Sequence, residues 1–157
     1  MTSSHGPVTG TDPHEQLRRA GLRVTAPRLA VLDVVAERQH AETDEIATAV
    51  RERLGSVSTQ AVYGVLQALT DAGLLRRVST GSRSASRYEV HHHDNHHHLL
   101  CRMCGRLEDV ACVVGEAPCL EPSDDHGFTI EAVDVLFRGV CPSCRELAAA
   151  TDPPDGS

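Results

Sequence analysis

Residues 91–104 read His-His-His-Asp-Asn-His-His-His-Leu-Leu-Cys-Arg-Met-Cys, which places six of the ten histidines within eight positions and runs them into a Cys-x-x-Cys. A second Cys-x-x-Cys, Cys141 and Cys144, follows after 36 intervening residues. Two such knuckles supply the four thiolates of a closed tetrahedral zinc site, Cys101, Cys104, Cys141 and Cys144. Those cysteines fill its coordination positions, so the histidines imply a second metal with nitrogen and oxygen ligands. The run is internal and broken by Asp94 and Asn95, and Leu99 and Leu100 follow it as in a strand, unlike an affinity tag. One site needs only two or three histidines, so most of the run is expected to stand behind the ligands or in solvent.

The elements that must position these ligands are bounded by composition. The 157 residues suit two small domains, and zinc helps one that cannot bury much core. With two Phe, two Tyr and no Trp, the cores must be built from Leu, Val, Ala and Ile. No apolar run approaches membrane-spanning length and residues 1–20 lack the apolar core of a signal peptide, so a cytoplasmic protein with reduced thiols is expected. The net charge of −7 looks wrong for a nucleic-acid binder until the chain is divided. Residues 1–90 hold eleven Arg against ten Asp and Glu, and residues 91–157 hold four against twelve, so the negative excess lies in the second half. The near-neutral first half can present a local basic face.

Helical spacing and punctuation then divide the chain. After a tail over 1–12, a short helix is expected from Pro13 to Ala20, closed by Gly21. Thr25 reads as an N-cap for a second helix to about Glu37, carrying Leu29, Leu32 and Val35. A third starts near Thr43, stripes Ile46, Val50 and Leu54, and stops at Gly55. The fourth, over 58–72, has Ser58 as N-cap, Val57 and Val62 as a hydrophobic staple, and Val62, Val65, Leu66 and Leu69 as its buried stripe. Its other face carries Thr59, Tyr63 and Gln67 with Gln60 and Gly64, and has no Lys or Glu. Such a face suits base edges and thymine methyls better than bulk water. Leu74 to Val78 and Arg87 to Val90, flanking a polar turn, read as a hairpin bearing Arg76, Arg77, Arg83 and Arg87 for phosphates. Helices followed by such a hairpin describe a winged helix-turn-helix over 13–90, with 58–72 as recognition helix.

Residues 91–150 read as a metal-binding domain: strands over His96–Leu100, Arg106–Val110 and Thr129–Phe137, turns over 111–127, and a helix from about Ser143 to Ala150, with a second tail over 151–157. This small α/β module buries little alone, and pairing with a second copy is its natural remedy. The fold class is therefore α+β.

Gly-Leu-Arg-Val-Thr-Ala-Pro-Arg at 21–28, Ser-Thr-Gln-Ala-Val-Tyr at 58–63, Arg87-Tyr88-Glu89, His96-His97-His98-Leu99-Leu100-Cys101 and the two knuckles resemble the ferric uptake regulator (Fur) family of metal-dependent transcriptional repressors. The resemblance covers about residues 13–147 and is nearest to the branch that represses catalase-peroxidase genes and responds to iron and peroxide. It implies a homodimer on double-stranded operator DNA, with winged-helix arms on a dimerisation domain and a regulatory metal bridging the two. Position by position, the regulatory ligands fall on His40, Glu89, His96 and His98, with Asp109 the counterpart of a carboxylate ligand in peroxide sensors. The DNA-contacting set becomes Arg23, Arg28, Ser58, Thr59, Gln60, Tyr63, Gln67, Arg76, Arg77 and Arg83. His96 and His98 are i and i+2 on one strand and face one side, with His97 on the other. A second histidine-rich site found in some members would need His97, Glu116 and a histidine where Val133 stands, and is not expected. Cys112 and Cys119 lie outside the knuckles and read as small buried residues, with a redox pair as the alternative.

The mechanism implied is a regulator that is not an enzyme: structural Zn(II) in the thiolate site and Fe(II), with Mn(II) or Zn(II) as alternatives, in the nitrogen and oxygen site. A free metal concentration about a hundred times its dissociation constant biases the DNA-competent form by about 2.7 kcal/mol. If peroxide is the signal, a ligand histidine, His40 or His96, is oxidised and the DNA released. Plain iron or zinc sensing within the same family is the alternative. His40-Ala41-Glu42 also has the H-x-E form of zinc nucleobase deaminases, but those need Pro-Cys-x-x-Cys, and here Pro142 follows Cys141 while Leu100 precedes Cys101.

Overall fold

Asp12 starts the first helix: its side chain accepts a hydrogen bond from the backbone N–H of His14 and caps α1, Pro13–Arg19. The computed structural model describes residues 12–81, 86–91, 96–111, 124–130 and 134–151, and the chain divides into two units, Met1–His92 and His93–Ser157. Of the tails expected over 1–12 and 151–157, Asp12 instead caps α1 and Thr151 ends the last helix, while the rest, and the segments carrying Arg83, Cys112, Glu116, Cys119 and Val133, lie outside the described residues.

In the first unit α1 is followed by α2 (Ala26–Glu37), β1 (Ala41–Glu42), α3 (Thr43–Leu54), α4 (Thr59–Asp71), β2 (Leu75–Val78) and β3 (Arg87–Val90). Helices α1 and α4 both end in the Schellman pattern, with Leu22 N–H donating to Leu17 O at 2.8 Å and Leu74 N–H to Leu69 O at 2.9 Å. Gly21 and Gly73 supply the left-handed residue that this closure needs, at φ +72° and +71°. Thr25 occupies the cap position of α2 without a side-chain hydrogen bond. Helix α3 instead starts with a reciprocal capping box, Glu42 with Glu45, a pair that stands at the expected N-terminus with Glu in place of Ser or Thr. Ser58 caps α4, its hydroxyl accepting from Ala61 N–H at 3.1 Å.

One apolar cluster joins these helices to the sheet: Leu17, Val31, Val34, Val35, Ile46, Val50, Val62, Leu66, Leu69 and Leu75 are all buried. The sheet has the order β1-β3-β2, both pairs antiparallel. Its two-residue strand β1 was invisible to periodicity, which needs several alternations to register. Here Ala41 and Glu42 join the sheet by pairing with Tyr88 and Arg87.

The second unit holds β4 (His96–Cys101), β5 (Leu107–Ala111), β6 (Leu136–Gly139) and α5 (Pro142–Thr151). The sheet order is β5-β4-β6, with β5 antiparallel and β6 parallel to β4. The strand expected over Thr129–Phe137 starts only at Leu136, where pairing with His98 begins, and Thr129 and Ile130 are outside any strand. Phe128 and Ile130 are 74% and 52% exposed, so their apolar character is not matched by cover that would hold them in the sheet. Leu99, Phe137 and Leu147 are exposed as well, and the buried apolar side chains reduce to Leu100 and Leu107 beside Cys101 and Cys144 among the described residues.

Candidate metal centres and nucleic-acid interface

The cysteine knuckles sit at the same end of the parallel strands β4 and β6. Cys101 closes β4, Cys104 lies on the turn before β5, Cys141 follows β6, and Cys144 is in the first turn of α5. Arg102 N–H donates to Gly139 O at 2.9 Å, which ties one knuckle to the other. All four are free thiols, with sulfur atoms within 4.8 Å of one another and Cys104 Sγ 3.8 Å from Cys141 Sγ. A tetrahedron with zinc–sulfur bonds of 2.3 Å has edges of about 3.8 Å, so the cluster has the size of a zinc site and is far too open for a disulfide.

The surroundings also favour thiolate. Backbone N–H groups of Cys104, Cys141 and Met103 lower the Cys101 thiol to about 6, against the effect of burial. That of Cys141 lies 3.3 Å from Cys101 Sγ. Cys144 is pushed up to about 12, first by its hydrogen bonds to Cys141 and Cys104, then by burial and the Cys101 charge. Four sulfurs crowded around one point resist sharing negative charge without a cation, and a divalent cation is the group that reverses this.

The nitrogen and oxygen donors form a pair in each unit. In the first, His40 Nε2 donates to Glu89 Oε2 at 2.9 Å, while Arg76 Nη1 lies 3.7 Å from Oε1 of the same carboxylate. Glu89 is 2% exposed, and a carboxylate buried this deeply needs such partners. His40 has the left-handed φ of +63°, which costs of order 1–3 kcal/mol for a residue with a side chain. The strain is held in place by its own N–H donating to Tyr88 O at 2.9 Å, and it aims the ring at β3. In the second unit His98 is buried on β4 with Nε2 3.5 Å from Asp109 Oδ1, because the antiparallel register sets His98 opposite Asp109. The ring of His96 meets that of His98 edge-on at 5.1 Å, and His97 packs edge-on against Phe137 instead, at 6.1 Å. The alternation expected along this strand is therefore realised.

The presumed reading face of α4 is open. Gln60, Tyr63, Gly64 and Gln67 are exposed, Tyr63 at 45%. Gln67 Nε2 donates to Asp71 Oδ1 at 2.7 Å, and Thr59 accepts from Arg51 Nη1 at 3.3 Å. Ser58 is engaged as the cap. Arg23 is exposed, whereas Arg28 turns back to donate to Arg23 O at 2.7 Å. On the hairpin Arg77 is exposed, with Nε donating to Ser86 Oγ at 2.7 Å. Arg87 reaches Glu42 at 3.2 Å. The pairing of Arg76 with Glu89 had no signal in the sequence beyond opposite charge, since only strand register sets the two across from each other.

A profile of the ferric uptake regulator family matches residues 19–138. The chain belongs to the ferric uptake regulator family. Transcriptional regulator FurA of Mycobacterium tuberculosis is 54% identical over 133 residues, 85% of this chain and 90% of that protein. The peroxide-responsive repressor PerR of Staphylococcus aureus is 33% identical over 136 residues, 83% of this chain and 87% of that protein. The crystal structure of the Vibrio cholerae ferric uptake regulator superposes with a TM-score of 0.63 at 26% identity, covering 83% of this chain and all of that one. This Fur-family chain is thus a metal-responsive transcriptional regulator and not an enzyme. No helix among its described residues is long and apolar enough to cross a membrane.

Proposed function

We propose that this Fur-family protein is a homodimeric repressor that binds double-stranded operator DNA when a regulatory divalent ion is present, with Fe(II) as the native ion and Mn(II) as its substitute. Helix α4 is the reading element, through Gln60, Tyr63 and Gln67. Arg23 and the hairpin arginines meet phosphates. Zinc would be held by Cys101, Cys104, Cys141 and Cys144, where it supplies cohesion to a unit with few buried apolar side chains. The regulatory ion would draw its ligands from His40, Glu89, His96, His98 and Asp109.

The observation that carries the reading is the Glu89 carboxylate, buried and 2.9 Å from His40 on a strained backbone. A donor pair of nitrogen and oxygen with no thiolate suits iron or manganese, and zinc as the alternative. The exposed apolar side chains of the second unit support a second copy as partner. When bound, Fe(II) supplies electrons to peroxide, chemistry that leaves an added oxygen on a nearby ligand, His40 or His96. Catalase-peroxidase genes are the expected targets, and the cytoplasm the expected compartment.

Gel retardation of a duplex from the region upstream of the protein's own coding sequence, with and without Mn(II), tests the switch. Retention that requires Mn(II) and disappears in Glu89→Gln supports it; equal retention with and without the ion overturns it. For the peroxide arm, Fe(II)-loaded protein should lose the duplex after peroxide and gain the mass of one oxygen on a peptide containing His40 or His96. Unchanged binding and unchanged histidine masses would remove that arm.

A further inference from the structure

Both oxygens of the Glu89 carboxylate are engaged. Oε2 takes His40, and Oε1 faces the Arg76 guanidinium at 3.7 Å. Arg76 and Glu89 are directly opposed across β2 and β3, so they need no backbone movement to meet or part. The spacing exceeds that of a good N–H···O hydrogen bond, which makes this an ion pair that a rotamer change can open. The Arg76 side chain is 23% exposed against 3% for that of Glu89, so its route outward is toward water.

From this the geometry points to Arg76 as a counter-ion that exchanges with the regulatory metal: it neutralises Glu89 in the metal-free protein and, once Glu89 is a metal ligand, swings out to contact a DNA phosphate. The inference rests on the reading of Glu89 as a ligand and adds the route from that ligand to DNA. Two cations cannot share one buried carboxylate without mutual repulsion, so Glu89 gives up Arg76 when it takes a divalent ion. The guanidinium keeps its charge in any case, and released at the edge of the hairpin it has five donors to offer a phosphate. The other described arginines on these strands are differently placed: Arg87 is paired with Glu42, away from Glu89's oxygens, and Arg77 is exposed already. Arg76 alone among them connects the candidate ligand to the basic hairpin. The coupling is reciprocal, as linkage requires: a phosphate that holds Arg76 outward leaves Glu89 readier for metal.

The test uses the full chain with its zinc retained. Mn(II) titration in the absence of DNA should show about tenfold tighter binding in Arg76→Gln than in wild type, because the competing cation is gone. With Mn(II) saturating, retention of the upstream duplex by Arg76→Gln should have a log–log salt slope shallower by about 0.9, the loss of one phosphate contact. Arg76→Lys, which keeps the charge, should return both readings to wild type. Mn(II) affinity in Arg76→Gln that is unchanged or weaker, an unchanged salt slope, or an Arg76→Lys that behaves like Arg76→Gln overturns the exchange. Glu89→Gln separates the two levels: if it binds Mn(II) as wild type does, the ligand reading falls and the exchange with it. If it loses the ion while Arg76→Gln binds as wild type, only the exchange falls.

Discussion

The two units are held together by different physics. The first buries Leu, Val and Ile side chains from four helices and a sheet in one apolar cluster, and α1, α3 and α4 each begin with a side-chain cap. Among its described residues the second has three strands and one helix, leaves Phe128, Ile130 and Leu147 exposed in the single chain, and gathers four thiols beside Leu100 and Leu107. One unit is built on hydrophobic burial; the other gathers its described buried side chains around four thiols of a spacing fit for a metal. Function is distributed accordingly. The unit with the apolar core presents an exposed helix face and a buried carboxylate, while the other carries imidazoles on a strand that ends in the thiol cluster.

The largest effect should come from Cys104→Ser. Structural zinc sites contribute about 10–16 kcal/mol of binding free energy in small domains, and removing one thiolate should release the ion and unfold the second unit. Metal analysis and hydrogen exchange would read zero zinc and loss of protection confined to residues after 93; full zinc retention would break the contrast. Leu66→Ala addresses the other side. It should cost the first unit about 2–5 kcal/mol in a denaturant titration through the cavity it leaves, with zinc content unchanged. Equal destabilisation of both units would show that they do not have separate sources of stability.

Tyr63→Ala should weaken specific operator binding by about 1–3 kcal/mol in a retardation assay and leave both metal stoichiometries intact, since the ring lies on the exposed face of α4. Undiminished specific binding would remove α4 as the reading element. The smallest effect is a proton count. Zinc must displace the proton of Cys144, pushed up to about 12, throughout the accessible range. The Cys101 thiol, lowered to about 6, carries a proton only in acid, so zinc binding at pH 5 should release close to one proton more than at pH 8 from this residue. Calorimetry in buffers of different ionisation enthalpy measures that difference; a release that is the same at both values would show that the amides do not favour the Cys101 thiolate.

Much was legible in the sequence because its signals are local. The Cys-x-x-Cys pairs announce a tetrahedral thiolate site by spacing alone, and Ser58 with the stripe Val62, Leu66 and Leu69 specifies a capped amphipathic helix and its exposed opposite face. His96 and His98 share a strand face because side chains alternate. The misplaced start of the last strand has the opposite cause: Thr129 and Ile130 have strand-forming side chains, but pairing with β4 begins only at Leu136. Register decided the rest. Opposite charge does not predict that Glu89 meets Arg76 or that His98 meets Asp109, because a slip of one residue would send each partner to the other side of its sheet. The chain by itself determined which atoms are fit to bind metal and which helix could read DNA, since those follow from chemistry and short-range periodicity. Only the tertiary structure decided which charges share a carboxylate, since that depends on strands distant in sequence being brought side by side.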